Sequence, residues 1–392
     1  MLSNNWLSIV LKPDLPPLSI YLHWPFCAAI CPYCDFNVHL MRDMQPQQWR
    51  AAYFAELQYA FSQRPQGPVQ TVFFGGGTPS LMPADMVADI LSEINRLWGL
   101  APDAEITLEA NPVSAPQGHL ADLSAAGITR LSLGVQSLDD AALKFLGRTH
   151  SAADALAAFR LAREVFAHVS LDLIYARPGQ SLAMWRDELA CVLAETPDHV
   201  SLYQLTIEPD TPFHRLHAAG RFAVPDEDSA ADLYEMTQDM CAAAGLPAYE
   251  VSNHARDGHA CRHNIASWRG GDYLGIGPGA HGRLSDGQAR RATIALKAPQ
   301  AWLAQVEAQG HGWAEDKALD DEERRTEMLL LGLRLVEGVA LSDMAIGGIQ
   351  LPPERHLALQ QAGILLPSDS HLIASPQGRL VLDNLIAELL PS

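Results

Sequence analysis

The sequence predicts an α/β fold, in which a partial parallel (β/α)6 barrel precedes a smaller, mostly helical C-terminal domain. Two observations predict the barrel. Six short runs of β-branched or aliphatic residues recur in the first half of the chain, and amphipathic stretches of helical period separate them. Strands that alternate with helices in this way form parallel sheets. The chain of 392 residues with 48% hydrophobic content is long enough for a large core and for two domains.

The predicted barrel elements alternate along the first half of the chain. We expect strands at residues 18–24, 71–74, 105–109, 130–135, 169–175 and 199–207. We expect helices between them at residues 47–61, 84–97, 116–126, 151–166 and 182–195.

A boundary is predicted where prolines between residues 209 and 225 interrupt this periodicity. Beyond it, we expect a helix at 228–244, a strand at 248–253, helices at 301–309, 320–337, 353–362 and 381–390, and a short hairpin at 370–373. The predicted divisions are an N-terminal extension (1–17), a core barrel (18–225), a capping region (226–298) and a C-terminal helical domain (299–392).

Charge and composition exclude several classes of function. The formal net charge of −19 disfavours binding to nucleic acids or anionic membranes, which requires a basic surface. No stretch reaches the length of a membrane span, and the N-terminus lacks the pattern of a secretory signal, so we expect a cytoplasmic protein. Reducing conditions favour a metal site over disulfides for the clustered cysteines. For Cys191 and Cys241, which fall in helical patterns, we expect buried apolar positions.

Three of the six cysteines, Cys27, Cys31 and Cys34, lie in one loop directly after the first predicted strand. Their thiolates can hold three corners of one compact inorganic centre and leave the fourth corner open. An iron–sulfur cubane with one iron free of protein ligands can bind the amino and carboxylate groups of S-adenosylmethionine (SAM). This C-x3-C-x2-C pattern is similar to that of the radical SAM superfamily. A zinc site with a distant fourth ligand, or redox-active thiols, are the alternatives.

Polar or glycine residues occur at the carboxyl end of every predicted strand, the edge where parallel β/α proteins bind ligands. In chain order these ends carry the cysteine loop, residues 75–79 (Gly-Gly-Gly-Thr-Pro), residues 109–112 (Glu-Ala-Asn-Pro), residues 134–137 (Gly-Val-Gln-Ser), Asp172, and Tyr203 with Gln204. A glycine run lets backbone groups approach a ligand, although alone it is typical of a tight turn. Six such ends in succession indicate a binding site, whereas any single one is compatible with a solvated strand end or a polar core group.

Several motifs strengthen this interpretation when taken together. Residues 21–27 read Tyr-Leu-His-Trp-Pro-Phe-Cys, Tyr33 lies within the cysteine triad, and residues 146–150 read Leu-Gly-Arg-Thr-His. With the strand-end motifs, they resemble the oxygen-independent coproporphyrinogen dehydrogenase family of radical SAM proteins, and within it the HemW-type haem-chaperone branch. The resemblance covers nearly the whole chain. It implies a partial barrel of the radical SAM type with a winged-helix-like C-terminal domain.

The resemblance also implies a set of site residues. A [4Fe-4S] cluster would be held by Cys27, Cys31 and Cys34. The positions that match SAM-contacting residues of the family are Tyr21, Tyr33, Gly76, Gly77, Thr78, Glu109, Gln136, Arg148, Asp172 and Gln204. Among them, Glu109 suits the cationic end of SAM, Asp172 its ribose hydroxyls, and Arg148 its carboxylate.

One departure from the family pattern concerns the reaction. The coproporphyrinogen-oxidising enzymes have a further cysteine two places after the third, where this chain has Phe36. The chaperone branch has phenylalanine there. The resemblance therefore argues against oxidative decarboxylation of coproporphyrinogen and leaves cluster binding unaffected.

A second candidate site lies among four histidines of the capping region, His254, His259, His263 and His281. Imidazole is an axial ligand of haem iron and also a zinc ligand. Residues 261–268 (Cys-Arg-His-Asn-Ile-Ala-Ser-Trp) resemble the His-Asn-x-x-Tyr-Trp haem motif of the chaperone branch, with serine in place of the tyrosine.

This resemblance implies that haem contacts His263 as an axial ligand, Asn264 as an orienting hydrogen-bond donor and Trp268 as a flat apolar wall. Ser267 removes one aromatic wall from the motif. A zinc site that includes Cys261 is one alternative. A structural role, in which His263 and Trp268 only join the capping region to the barrel, is the other.

Two functions are compatible with these features, and a third is less so. The first is a haem chaperone that binds haem, a [4Fe-4S] cluster and SAM and passes haem to acceptor haemoproteins. The second is a radical SAM oxidase of coproporphyrinogen III or a related tetrapyrrole. In both, a reduced cluster would cleave SAM to a 5′-deoxyadenosyl radical. A scaffold with a vestigial cluster site is the third. We expect no nucleic-acid partner and no transmembrane segment, and a homodimer is compatible with the sequence.

Overall fold

The computed structural model describes residues 16–41, 44–114, 117–286, 289–348 and 352–390. The predicted N-terminal extension therefore lies almost entirely outside the described residues. The strands are β1 (Leu18–Trp24), β2 (Phe26–Cys27), β3 (His39–Leu40), β4 (Val69–Gly76), β5 (Leu100–Ala110), β6 (Arg130–Gln136), β7 (His168–Tyr175), β8 (His199–Gln204), β9 (Asn253–Ala255), β10 (Asp272–Ile276), β11 (His281–Ser285), β12 (Arg290–Ala295), β13 (Trp313–Ala318), β14 (Val339–Ala340), β15 (Leu365–Leu366) and β16 (His371–Ala374).

Helices connect these strands. They are α1 (Pro46–Gln63), α2 (Ala84–Trp98), α3 (Gln117–Ala125), α4 (Asp140–Phe145), α5 (Ala152–Val165), α6 (Leu182–Ala194), α7 (Pro212–Ala218), α8 (Glu227–Ala243), α9 (Arg262–Trp268), α10 (Pro299–Gln309), α11 (Asp321–Gly332), α12 (Leu341–Ile346), α13 (Pro353–Gln361), α14 (Pro376–Leu380) and α15 (Leu382–Leu389). Short 3-10 helices span Pro79–Leu81 and Pro112–Ser114.

Most strands join one eleven-stranded sheet in the order β13-β12-β11-β10-β1-β4-β5-β6-β7-β8-β9. The run from β10 to β8 is parallel throughout. At one edge β9 pairs antiparallel with β8, and at the other β11, β12 and β13 continue antiparallel from β10. Within the described residues, no pairing joins β9 to β13. The predicted α/β fold with a partial parallel barrel is thus confirmed, and its six strands are β1 and β4 to β8.

The region after the barrel differs from the prediction. β10 adds a parallel strand beside β1 that the periodicity did not indicate. The strand expected at residues 248–253 is wrong, because the chain folds back so that Ala248 bridges His254, and only Asn253–Ala255 forms a strand. α9 has seven residues, too few to show a helical period. The helix expected at 320–337 ends at Gly332.

Alternate residues of the parallel strands point to two different environments. On β1, Ile20, Leu22 and Trp24 pack into the main hydrophobic core beneath the helices. Ser19 points to the opposite face, where its hydroxyl accepts a 2.9 Å hydrogen bond from Thr71 on β4. Polar side chains of the parallel strands lie on this second face, because side-chain direction alternates along a strand.

The two largest of three hydrophobic clusters among the described residues divide the chain. The larger includes Trp302 and Trp313, and the rings of Trp49 and Trp302 stack with centroids 5.3 Å apart. The smaller joins α11 to α15 and includes Leu329 and Leu389. Residues 299–318 therefore pack with the barrel, and side-chain packing changes near residue 319. The predicted domain boundaries, including the one after residue 298, stay predictions.

Two smaller expectations concern single features. Among the described residues, no helix is long and apolar enough to cross a membrane. Cys241 is buried as expected, whereas Cys191 is exposed on α6, so its predicted burial is wrong. A helical pattern indicates the period of a face but does not by itself identify which edge positions the core covers.

Candidate functional site

A cavity of about 340 Å³ lies at the carboxyl ends of the parallel strands. It brings together most of the residues that the sequence selected, although they come from different strand ends. These lining residues are Cys27, Cys31, Tyr33, Cys34, Gly76, Gly77, Thr78, Glu109, Gln136, Arg148, Asp172 and Gln204. Phe36 also lines the cavity, with 60% of its surface exposed.

The loop that carries the cysteines is held at its base. The short strand β2 ends at Cys27 and pairs in parallel with β3, which follows the loop. The N–H of Met41 donates to Cys27 O at 3.0 Å, and within the loop the N–H of Cys34 donates to Cys31 O at 3.2 Å. This pairing closes the loop on itself, so that the three cysteines share one cavity.

Hydrogen-bond donors lie beside two of the thiols. The hydroxyl of Thr78 is 3.4 Å from Cys27 Sγ, and Arg148 Nη1 is 3.5 Å from Cys31 Sγ. Burial raises the pKa of Cys27, and burial raises the pKa of Cys34 to about 11. Buried thiols of this kind stay protonated unless a cation stabilises the thiolates, and a bound metal centre supplies that charge.

The glycine run after β4 lies against the cysteine loop. The N–H of Gly77 donates to Trp24 O at 2.7 Å, and a Cβ at Gly77 would lie only 2.6 Å from Phe26 O. Gly76 has φ +111°, a conformation that favours glycine. The run is therefore a tight structural contact as well as a wall of the cavity, and its role in binding a ligand stays a prediction.

Two half-buried carboxylates lie on one side of the cavity. Glu109 Oε2 accepts a 3.1 Å hydrogen bond from the Gly76 N–H, and Asp172 accepts hydrogen bonds from Ser132 (2.7 Å) and Ser170 (3.0 Å). Burial, and then the negative charge of Asp172, raise the pKa of Glu109 to about 8. Burial also raises the pKa of Asp172. A cationic ligand beside them would relieve this repulsion.

Arg148 supplies the opposite charge in the same cavity. Its Nη2 donates to Gly134 O at 2.8 Å, while its buried Nε has no hydrogen-bond partner among the described residues. Gln136 lies nearby with φ +68°, which is rare for a residue other than glycine and is found at functional sites. The cavity thus offers two carboxylates and a guanidinium to one ligand, a pattern that suits a zwitterion.

Two of the predicted SAM contacts have structural partners. Tyr21 does not line the cavity; its hydroxyl is 3.1 Å from His23 Nδ1, and its ring lies against Gly75. Gln204 lines the cavity but donates to Ala230 O at 2.8 Å. Their predicted roles toward SAM stay predictions.

Asn37 is a positioning residue that the sequence did not reveal. Its side-chain amide donates to Pro278 O at 2.9 Å and to Lys297 O at 2.8 Å, and its own carbonyl is 2.8 Å from His23 Nε2. These contacts attach the end of the cysteine loop to the segments that directly follow β10 and β12. No sequence signal indicates them, because the partners lie more than two hundred residues away.

Known proteins share both the sequence and the fold. The model for the radical SAM superfamily matches residues 21–216. Heme chaperone HemW of Mycobacterium tuberculosis is 38% identical over 95% of both chains, and heme chaperone HemW of Escherichia coli is 36% identical over 95% of this chain and 98% of its own. The chain belongs to the HemW family of radical SAM proteins.

Two further comparisons agree with this family. Mouse radical S-adenosyl methionine domain-containing protein 1, mitochondrial, is 40% identical over 95% of this chain and 87% of its own. The fold also matches the solved structure of coproporphyrinogen III oxidase HemN from Escherichia coli, with a TM-score of 0.79 over 96% of this chain and 90% of that one. Because the sequence identity to HemN is 21%, this second likeness shows the fold alone.

Membership of the radical SAM superfamily implies a [4Fe-4S] cluster and SAM, and the cavity fits that pair. Among the described residues, three thiols and no fourth one line it. The unpartnered Nε of Arg148 and the charge repulsion between Glu109 and Asp172 leave interactions that a ligand with a carboxylate and a cationic group would complete.

The second motif of the HemW family, around His263, lies elsewhere in the molecule. α9 covers the amino-terminal end of the barrel strands, where His263 Nδ1 is 2.8 Å from Thr71 Oγ1 and the His263 N–H donates to Glu105 at 3.2 Å. His263 is 6% exposed, and burial lowers its pKa to about 3. Asn264 is half-buried on the same helix. The guanidinium of Arg334 lies 4.6 Å from the ring centre of Trp268.

The other histidines of this region do not join His263. His259 lies against His168, with their Nδ1 atoms 3.1 Å apart, while His254 is buried on β9 and His281 is exposed on β11. In the part of the chain that the structure describes, no three histidine, cysteine or acidic side chains are arranged to hold a single metal ion. The zinc alternative for Cys261 and these histidines therefore has no geometric support here.

Proposed function

We propose that this protein is a haem chaperone that binds haem, a [4Fe-4S] cluster and SAM, and that passes haem to acceptor haemoproteins. The observation that carries the proposal is the identity of 36–38% to proteins named heme chaperone HemW, over 95% of this chain. Phe36 at the mouth of the cavity, where the resembling oxidases have cysteine, agrees with it. The proposed location is the cytoplasm.

The proposed cofactor site uses the cavity at the strand ends. Cys27, Cys31 and Cys34 would hold the cluster, whose chemistry when reduced is one-electron cleavage of SAM. SAM would lie against the remaining predicted residues, with its amino group toward Glu109 and its carboxylate toward Arg148. The SAM-contacting set is Tyr21, Tyr33, Gly76, Gly77, Thr78, Glu109, Gln136, Arg148, Asp172 and Gln204.

The proposed haem ligands are His263, Asn264 and Trp268. Because the His263 ring is buried and hydrogen-bonded to Thr71, α9 must move away from the barrel before His263 binds iron. Breaking that hydrogen bond adds to the cost of haem binding. The Thr71→Val substitution keeps the side-chain volume and removes this hydrogen bond, together with the one to Ser19, and should therefore tighten haem binding.

A spectral titration of the cluster-reconstituted protein with haem tests the proposal. The wild type should show a Soret band that saturates at one equivalent. His263→Ala should weaken binding and shift the band, Ser267→Tyr should tighten binding by restoring an aromatic wall, and His356→Ala on the surface of α13 should change nothing. None of these substitutions should alter the iron content.

The alternative function, a radical SAM oxidase of coproporphyrinogen III or a related tetrapyrrole, is tested on the same preparation. Anaerobic incubation with reductant, SAM and coproporphyrinogen should give no SAM consumption in proportion to substrate. Turnover of coproporphyrinogen, together with a haem spectrum unchanged in His263→Ala, would replace the chaperone proposal with the oxidase.

A further inference from the structure

A second cavity of about 720 Å³ adjoins the cysteine cavity. Tyr203, Gln204 and Thr206 line both cavities, so the two are neighbours along the end of β8. The second cavity lies between the barrel edge, α8 and the C-terminal helices α14 and α15. Its volume falls within the range typical of cofactor sites.

Two buried guanidinium nitrogens of residues that line this cavity, Arg334 Nε and Arg379 Nε, have no hydrogen-bond partner among the described residues. Buried polar atoms in folded proteins are almost always hydrogen-bonded, and both of these are donors, so they indicate a missing acceptor. The Tyr234 hydroxyl lies next to the Arg379 side chain, and a hydroxyl that accepts from arginine still has its own proton to donate.

The buried charged groups around this cavity carry a net positive charge. Among the described residues, Arg379 forms no ion pair with a carboxylate; its Nη1 lies 3.5 Å from Ala374 O, and its side chain interacts with the Tyr234 hydroxyl. Arg334 is paired through Nη2 to Glu250, which also accepts from Ser252 and Asn253. Glu250 does not line the cavity, and the two carboxylates that do, on Glu227 and Asp383, belong to exposed residues.

The charge of Arg379 contributes to the pKa shifts of two neighbouring side chains. Burial and, to a smaller extent, the charge of Arg379 lower the pKa of His254 to about 4. Burial raises the pKa of Tyr234, and the charge of Arg379 opposes that rise. Apolar side chains, among them Leu202, Val251 and Leu380, complete the walls.

We propose that this cavity binds the carboxylate side chains of a tetrapyrrole, with Arg379 as the principal anchor and Tyr234 as a second donor. Haem carries two carboxylates on an apolar ring, which matches arginines at one end of an apolar cavity. Arg334 lines the cavity and lies on Trp268, so an anchored tetrapyrrole is next to the helix that carries His263. This inference rests on the proposed haem-binding function and adds residues outside the HemW motifs.

The test compares haem with its dimethyl ester, which has the same ring and iron but no free carboxylates. Both are titrated into the full-length, cluster-reconstituted protein in the same detergent and followed at the Soret band. Arg379→Gln should lose about ten- to a hundredfold in affinity for haem, because it removes a charge-assisted hydrogen bond, and should bind the ester as the wild type does. Arg379→Lys should retain part of the affinity.

The matched control is Arg355→Gln, because Arg355 lies on the same C-terminal unit, pairs with Glu388 at the surface and does not line the cavity. It should bind both ligands as the wild type does. Tyr234→Phe is a second variant with almost unchanged volume, and it should lose about three- to tenfold for haem alone.

The outcomes distinguish a failure of this inference from a failure of the haem-chaperone proposal. A wild type that binds neither haem nor its ester contradicts the haem chaperone and the cavity together. A wild type that binds haem, with equal affinity in Arg379→Gln, Tyr234→Phe and Arg355→Gln, overturns the cavity and leaves the chaperone proposal standing. Equal losses for haem and for the ester would also overturn it, because the carboxylates would then play no part.

Discussion

The N–H of Gly76 donates to Glu109 Oε2 across 3.1 Å, so the glycine run and the third strand end of the barrel meet in one hydrogen bond. The bond holds a carboxylate whose pKa burial and Asp172 raise to about 8. A backbone donor favours the charged form, while burial disfavours it, and burial is the larger effect here. Without a ligand the Glu109 carboxyl is therefore mostly protonated at neutral pH, and a cationic ligand beside it would stabilise the ionised form.

Glu109→Gln and Asp172→Asn should each weaken SAM binding by about ten- to a hundredfold, because each removes a charge-assisted contact and keeps the side-chain shape. Calorimetry on the cluster-reconstituted protein measures the affinity, and iron counting checks that the cluster remains. Glu164→Gln, on α5 outside the cavity, is the control. If SAM binds both cavity variants as tightly as the wild type, the strand-end site is wrong.

Serine at any one of Cys27, Cys31 or Cys34 should abolish the cluster, since these thiols are the proposed protein anchors. Anaerobic reconstitution followed by iron and sulfide counting measures this. Cys191→Ser should keep a full complement of iron, because Cys191 is exposed on α6 and lies outside the cavity. An intact cluster in Cys31→Ser would contradict the ligand assignment.

The sequence predicted the parallel strands well because buried β-branched runs have a strong local signal. The strand expected at 130–135 differs by one residue from Arg130–Gln136. β11 to β13 did not show such a signal, since they pair antiparallel at one edge of the sheet and their burial depends on neighbours from other parts of the chain. Trp302 and Trp313, which follow the predicted boundary at residue 298, pack in the same hydrophobic cluster as the barrel residues through contacts that no local pattern encodes.

The candidate site was predictable because ligand groups collect at strand ends, and each strand end has its own short motif. The structure places Glu109, Arg148 and Asp172 in one cavity, as that rule requires. The burial of His263 was not predictable, because a helix of seven residues covering the opposite end of the barrel leaves no periodic trace. The second cavity was missed because its donors come from α8, α14 and the residues after α11.

Asn37→Ala should make the cluster less firmly held without removing a ligand. The substitution deletes the side-chain hydrogen bonds to Pro278 O and Lys297 O that attach the cysteine loop to the sheet. We expect normal iron content after reconstitution and loss of iron to a chelator that is about tenfold faster, because two hydrogen bonds no longer oppose loop opening. Asn95→Ala, which removes a hydrogen bond after α2, is the control and should release iron at the wild-type rate.

Glu56 gives a prediction for stability against pH, independent of any ligand. Its buried carboxylate accepts hydrogen bonds from Gly277 N–H (2.7 Å), Gly312 N–H (2.8 Å) and Trp302 Nε1 (3.1 Å), which join α1 to the strands beyond β10. Burial raises its pKa to about 7, although those hydrogen bonds oppose the rise. The folded protein therefore keeps a proton that the unfolded chain releases at lower pH.

The sign of the effect follows from this difference in bound protons. Between the ordinary glutamate pKa, about 4.3, and the folded value, the unfolded state binds fewer protons, so the free energy of unfolding falls as pH rises. The loss should reach about 3 kcal/mol by pH 8, since one pKa unit corresponds to about 1.4 kcal/mol.

The Glu56→Gln variant tests this, because its side chain cannot ionise and so adds no pH dependence to the free energy of unfolding. Urea unfolding of both proteins from pH 4.5 to 8, followed by tryptophan fluorescence, should show the advantage of the wild type shrinking with pH. A constant difference across that range would mean that Glu56 is ionised throughout and that its three hydrogen bonds outweigh its burial.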